Sequence, residues 1–326
     1  MAEYKGIHGT KIQNYTSDPA NPLQGEVWYN ATTNSLKYFY VNPGSWATGG
    51  VLNTGRKMLS GAGTQTAALA FSGTLASPPG GSTGATEKYN GSTWTSVNPM
   101  NEDRNEIAGA GTQTAALAFG GPNASNNTEL WNGTNWTEVN DLNLTRMLLA
   151  GAGANNTAVL AFGGQNGNTP VGSRSALTEL WNGTNWTEVA DLNAARMQLA
   201  GCGISTAALA FGGDAPSGQD ITETWNGSSW AEVGDLNLGR QRLAGAGTTT
   251  SALAFGGQNP IVGDTESWNG TNWTEVADMA TARRFLGGAG TSNLSALAFG
   301  GDPGSGVTTA TEEWNAGPTT STIGTS

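Results

Sequence analysis

The 326-residue chain holds one cysteine and one histidine. A lone Cys202 excludes any intrachain disulfide, and a lone His8 excludes a two-histidine metal site within one chain. Charge is scarce as well: only 12% of residues are Asp, Glu, Lys or Arg, and the net balance is −11. That sign repels a nucleic-acid backbone, so no nucleic-acid partner is expected. No segment approaches the apolar length of a membrane span, and the opening stretch MAEYKGIHGTKIQ has no apolar run. The expectation is synthesis in the cytoplasm without membrane insertion, and arrival at any outer surface by assembly. A Gly-x-Ser-x-Gly elbow and a phosphate loop are missing, and with His8 isolated a Ser-His triad has no base. No catalytic residue, metal ligand or cofactor is expected, and the chain reads as a non-enzyme.

What the chain has in quantity is glycine, 49 residues, recurring at fixed points of an internal repeat. Each copy runs through an Arg, a small-residue segment, a segment closing on Phe, a Thr-Glu pair, and two aromatics flanking an Asn-Gly turn. The closing Phe falls at 71, 119, 162, 211, 255 and 299, and the later Trp at 46, 94, 136, 186, 230 and 273. Steps of 42 to 50 residues mark propeller blades, supersecondary units that bury their faces only by stacking on neighbours. Cys202 stands where other copies carry Ala62, Ala110, Ala152, Ala246 and Ala289, so it reads as a small core hydrophobe.

Four extended segments can be read per copy. The first, LAGAGT and its relatives, is small enough for an innermost strand crowded around a central axis. The second, AALAF, lacks charge on both faces and should be buried on both. The third is TELW or TETW and the fourth NWTEV, joined by Asn-Gly at 132–133, 182–183, 226–227 and 269–270, a strong hairpin signal. In up-and-down order the short uniform turns share one face. The second-to-third loops and the crossovers share the other, and only those loops vary in length and chemistry. That is the candidate recognition face.

Candidate binding residues on it are Asn166, Arg174, Asp214, Asp264 and Asp302, together with one Arg per crossover: Arg56, Arg104, Arg146, Arg196, Arg240 and Arg283. A ring of guanidinium groups could hold an anionic ligand. The competing reading pairs each Arg with the Glu that repeats beside it, at 87, 129, 179, 223, 266 and 312, and it is the favoured one.

The sixth copy ends at Thr311-Glu312-Glu313-Trp314 without a fourth segment, and the orphan fourth segment, Gly44-Ser45-Trp46, lies at the front. Closing the ring with this N-terminal strand removes an exposed sheet edge. Leu36–Tyr40 could compete as the third strand before Trp46. The domain reading is an attachment segment over 1–35, with Trp28 and Tyr29 as its contact residues, a six-bladed all-β propeller of four-stranded antiparallel blades over 36–315, and a flexible tail over 316–326.

The Phe-Gly-Gly element followed by Thr-Glu-x-Trp-Asn-Gly and a second Trp resembles a kelch repeat across about residues 46–314. The chain departs by carrying Trp at the usual Tyr position, which only Tyr89 keeps. The resemblance implies a galactose-oxidase-like propeller fold. It does not bring the copper-radical activity, which needs histidine and tyrosine ligands and a Cys–Tyr crosslink that His8 and Cys202 cannot supply. The Asp-box pattern of the six-bladed sialidases is absent. The front segment, GEVWYNATTNSLKYF, resembles hairpins near the start of bacteriophage tail-fibre and other virion appendage proteins. This implies location in the virion, attachment to other virion proteins through the N-terminal segment, and recognition of a host surface protein or glycan. The alternative is a soluble lectin-like propeller whose third-strand Trp residues stack on sugar rings.

Overall fold

An uncharged Ala/Leu/Phe segment can satisfy its backbone and hide both faces only as a central strand, and this is where each repeat places it. The computed structural model describes residues 12–76, 80–122, 125–167, 173–216, 219–258 and 260–323, and no helix occurs among them. Two compact units are present, Ser45–Asn315 and Met1–Gly44 with Ala316–Ser326.

The larger unit is a six-bladed propeller. Blade 4 is typical, running from inner to outer strand through Ala200–Ile204, Ala207–Phe211, Thr222–Trp225 and Trp230–Glu232, all antiparallel. The inner strands present Gly-Ala-Gly triplets to the axis, with Cys202 replacing Ala in blade 4. Cys202 is buried, and desolvation pushes its thiol up to about 12, so it is an inert filler as the Ala register implies. Glycine is required on these strands because the closing Phe of the preceding blade fills the space above them. A β-carbon on Gly201 would lie 2.4 Å from Phe162 Cζ.

Blades are locked by a repeated set of contacts. Each outer-strand Trp packs on the closing Phe of the blade before it, with ring centroids 4.9–5.1 Å apart. Its indole N–H donates to a third-strand Thr hydroxyl of that blade at 3.0–3.1 Å. Blade 1 meets blade 6 through the same pair, Trp94 to Thr311. Gln65 adds a staple there, donating to the carbonyls of Ala296 at 3.3 Å and Trp314 at 2.6 Å.

Ring closure follows the expected route. The strand Ser35–Thr48 is the outer neighbour of Thr311–Thr322, and its Trp46 packs against Phe255 and Trp314 and donates to Thr265. Two boundaries differ from the sequence reading. Leu36–Tyr40 does not supply a propeller strand: residues 35–38 pair with Val27–Asn30 in the smaller unit, so the propeller begins at Ser45 rather than at 36. The tail expected to be flexible from 316 continues the last strand to Thr322 instead, where Ile323 N–H reaches Leu36 carbonyl; residues 324–326 lie outside the described residues.

In the smaller unit Gln13–Tyr15 runs parallel to Val27–Asn30. Asp18 is its polar hub. It accepts from Trp28 Nε1 at 3.0 Å and Asn30 Nδ2 at 2.7 Å, and it pairs with Lys37 at 2.9 Å. The Lys37 bond is the largest reason its carboxyl is held down to about 2.

Candidate functional site: the axial mouth

Two residues after every repeated Arg, the chain turns into its innermost strand. The residue at that bend differs in every blade: Met58, Glu106, Leu148, Gln198, Arg242 and Phe285. All six adopt positive φ between 52° and 60°, and they are six of the eight non-glycine residues that do so among the described residues. A left-handed conformation costs a side-chain-bearing residue roughly 1–2 kcal/mol. Glycine would relieve that cost, yet no blade uses it here.

The backbone explains how the bend is held. Met58 N–H donates to Phe285 carbonyl, Glu106 to Met58, Leu148 to Glu106, Gln198 to Leu148, Arg242 to Gln198, and Phe285 to Arg242, all at 2.8–3.1 Å. This is a closed circle of six hydrogen bonds, and it returns to its starting residue only because the propeller closes. The six side chains surround a cavity of about 100 Å³ whose floor is Leu59, Ile107, Leu149, Leu199, Leu243 and Leu286.

The mouth is tied to the variable loops. The residue between the repeated Arg and the bend pairs antiparallel with the root of the second-to-third loop: Lys57 with Thr74, Met147 with Gln165, Met197 with Asp214, Gln241 with Gln258, and Arg284 with Asp302. The centre of the loop face and its rim are therefore one hydrogen-bonded surface, opposite the Asn-Gly turns.

The proposed arginine ring does not belong to that surface. Arg56, Arg146, Arg196, Arg240 and Arg283 are fully buried and Arg104 nearly so. Each pairs with its repeat partner, at 2.8 Å for Arg104–Glu129 and Arg146–Glu179 and at 3.2 Å for Arg56–Glu87 and Arg196–Glu223, with Arg240–Glu266 and Arg283–Glu312 closer still. The carboxylate also caps the crossover: Glu223 accepts from Asn193 N–H at 2.7 Å and Asn193 Nδ2 at 2.8 Å. Burial lowers Arg56 and Arg196 to about 10, opposed by the paired carboxylate, so the ring carries a desolvation cost and has no face left for a ligand. The anion-binding reading is corrected to an architectural one.

The other candidates divide. Arg174 donates to the Asp214 carboxylate at 2.8 Å and to its carbonyl at 3.1 Å, joining the loops of blades 3 and 4 at the rim. Asp302 is buried between Lys57 at 3.1 Å and Arg284 at 3.2 Å, a clasp across the junction of blades 6 and 1, and is not free for a ligand. Asn166 sits in the paired loop root opposite Arg146. Asp264 lies at the base of a third strand, its carboxyl raised by burial and by Asp278. Trp28 is fully buried in the smaller unit and cannot be a contact residue, while Tyr29 is half-buried with its hydroxyl on Asn34. The third-strand Trp131, Trp181, Trp225, Trp268 and Trp314 are at most 2% exposed, so none can stack on a sugar.

The repeat does not point to the bend residues, because they are the position that fails to repeat. Their signal was available: Arg-x-X-Leu/Ile is fixed at its ends and unlike in every copy at X. No protein-family model and no curated protein matches the chain.

Proposed function

We propose that this chain is a non-enzymatic recognition protein, a virion appendage that presents the variable-loop face and its axial mouth to a host surface molecule or a neighbouring subunit. One observation carries the reading. In a ring built on a repeated frame, a strained central position is different in all six blades, and among the described residues the residue just before it pairs with the root of a variable loop at five junctions. Uniform strain with non-uniform side chains is poorly explained by folding, since any residue could form the backbone circle.

Attachment would fall to the smaller unit. Among the described residues its exposed large apolar side chains are Ile12, Tyr15, Leu23, Val27, Val41 and Ile323, against three in the much larger propeller. That concentration fits a surface covered in an assembly, and it replaces Trp28 with neighbours that are accessible. The virion assignment itself rests on the resemblance of the front hairpin.

Mass spectrometry of purified particles tests the location, and absence of the chain from virions overturns it. Recognition is tested by replacing residues 167–173 with a short Gly-Ser turn while keeping Gln165, Asn166 and Arg174. Closure entropy changes slowly with length, so folding should survive while partner binding is lost. Full binding by the swapped protein would move the contact surface off this face.

A further inference from the structure

The order of the hydrogen-bonded circle fixes which bend residues face each other. Glu106 neighbours Met58 and Leu148, and Arg242 neighbours Gln198 and Phe285, so the acid and the guanidinium stand three steps apart in either direction, on opposite sides of the axis. They do not meet. Among the described residues Glu106 makes no side-chain hydrogen bond or ion pair, although it is half-buried over an aliphatic floor. Arg242 is held on its own side, its guanidinium 4.4 Å above the Phe285 ring, donating through Nε to Gln198 at 3.0 Å and through Nη1 to Gln258. Its Nη2 has no hydrogen-bond partner among the described residues.

A cavity of about 100 Å³ between opposite charges, with Leu149 and Leu199 in its floor, discriminates by charge pattern. A simple anion drawn to Arg242 meets Glu106, and a simple cation drawn to Glu106 meets Arg242. An uncharged apolar guest leaves the Glu106 carboxylate half-buried and unpaired. A molecule carrying both charges on a short carbon body satisfies both walls and the floor together. Burial raises the Glu106 carboxyl and the Arg242 charge opposes that rise, which agrees with a carboxylate lacking a close partner.

We propose that the axial mouth binds a small aliphatic amino acid in its zwitterionic form, the ammonium on Glu106, the carboxylate on Arg242, and the carbon body over the leucine floor. This rests on the loop face being the recognition face, and it names one ligand class that the centre of that face takes.

The test is methyl NMR on full-length protein, following Leu149 and Leu199 during titration with 4-aminobutyrate, L-valine, n-butylammonium and butyrate. At least one of the two zwitterions should give saturable shifts, with the two singly charged probes at least tenfold weaker. Glu106→Gln should weaken zwitterion binding at least tenfold without lowering the melting temperature, because this carboxylate has no structural partner to lose. The charge-exchanged protein, Glu106→Arg with Arg242→Glu, should regain binding if it melts normally. Absence of saturable shifts with both zwitterions, equal binding of butyrate or n-butylammonium, or unchanged binding by Glu106→Gln each overturns the proposal. Loss of partner recognition on loop replacement together with silent mouth methyls would overturn this inference alone and leave the loop-face reading standing.

Discussion

At the scale of single residues, the buried Glu is the most heavily used side chain in the repeat. Glu223 neutralises Arg196 and accepts two bonds from Asn193, so its removal strands a guanidinium and two donors inside the protein. Glu223→Ala should cost about 3–5 kcal/mol, the range for breaking a buried pair from one side. Glu223→Gln, which keeps an acceptor for Asn193, should cost about half as much, and chemical denaturation of both variants checks the ratio. Tyr89 offers a pH test. Burial, and then the neighbouring Glu313 that its hydroxyl bonds, raise the phenol from the ordinary 10.0 to about 12. The folded protein therefore keeps a proton that the unfolded chain releases. This contribution is complete below pH 10 and is lost as pH rises through about 12. The melting-temperature difference between the protein and its Tyr89→Phe variant should shift against the tyrosine as pH rises across that window.

At the scale of strands, closure depends on one element borrowed from the front of the chain. Trp46 repeats the contacts of the other outer Trp residues, but it is half-buried where Trp186 is 5% exposed. Truncating a buried Trp costs about 3–5 kcal/mol. Trp46→Ala should fall at the low end and Trp186→Ala at the high end, and paired denaturant melts decide the order. The sequence showed that a strand was owed to the last blade and which Trp it carried. It did not show that the strand begins as far back as Ser35, because Leu36–Tyr40 has the same strand-forming composition in either unit. Ala316–Thr322 escaped notice for the opposite reason: Thr, Ser and Gly carry no apolar alternation, and the strand there extends one already started at Thr311.

At the scale of the whole molecule, the circle of six backbone bonds makes the bend a property of the ring and not of any blade. The amides of Met58, Glu106, Leu148, Gln198, Arg242 and Phe285 lie beside an open cavity, yet each donates to the bend carbonyl of the preceding blade. If the ring opens only as a unit, their hydrogen-exchange protection should agree within about tenfold and match global unfolding. Protection that differs widely among the six would show that blades open singly.

The repeat by itself determined blade number, strand order, the closing strand and the face carrying variable loops, because each is a matter of period, hairpin chemistry and counting. Sequence also favoured the correct role for the arginines, since a charge that recurs with its opposite is cheapest explained by a pair. Which residues surround the axis was decided only in three dimensions. Six residues spaced 42 to 50 positions apart become neighbours through ring closure, and nothing local to Glu106 or Arg242 says that they stand opposite each other. The burial of Trp28 was likewise tertiary: a Trp followed by a Tyr in a short strand exposes one and hides the other, and only the packing around Asp18 chose which.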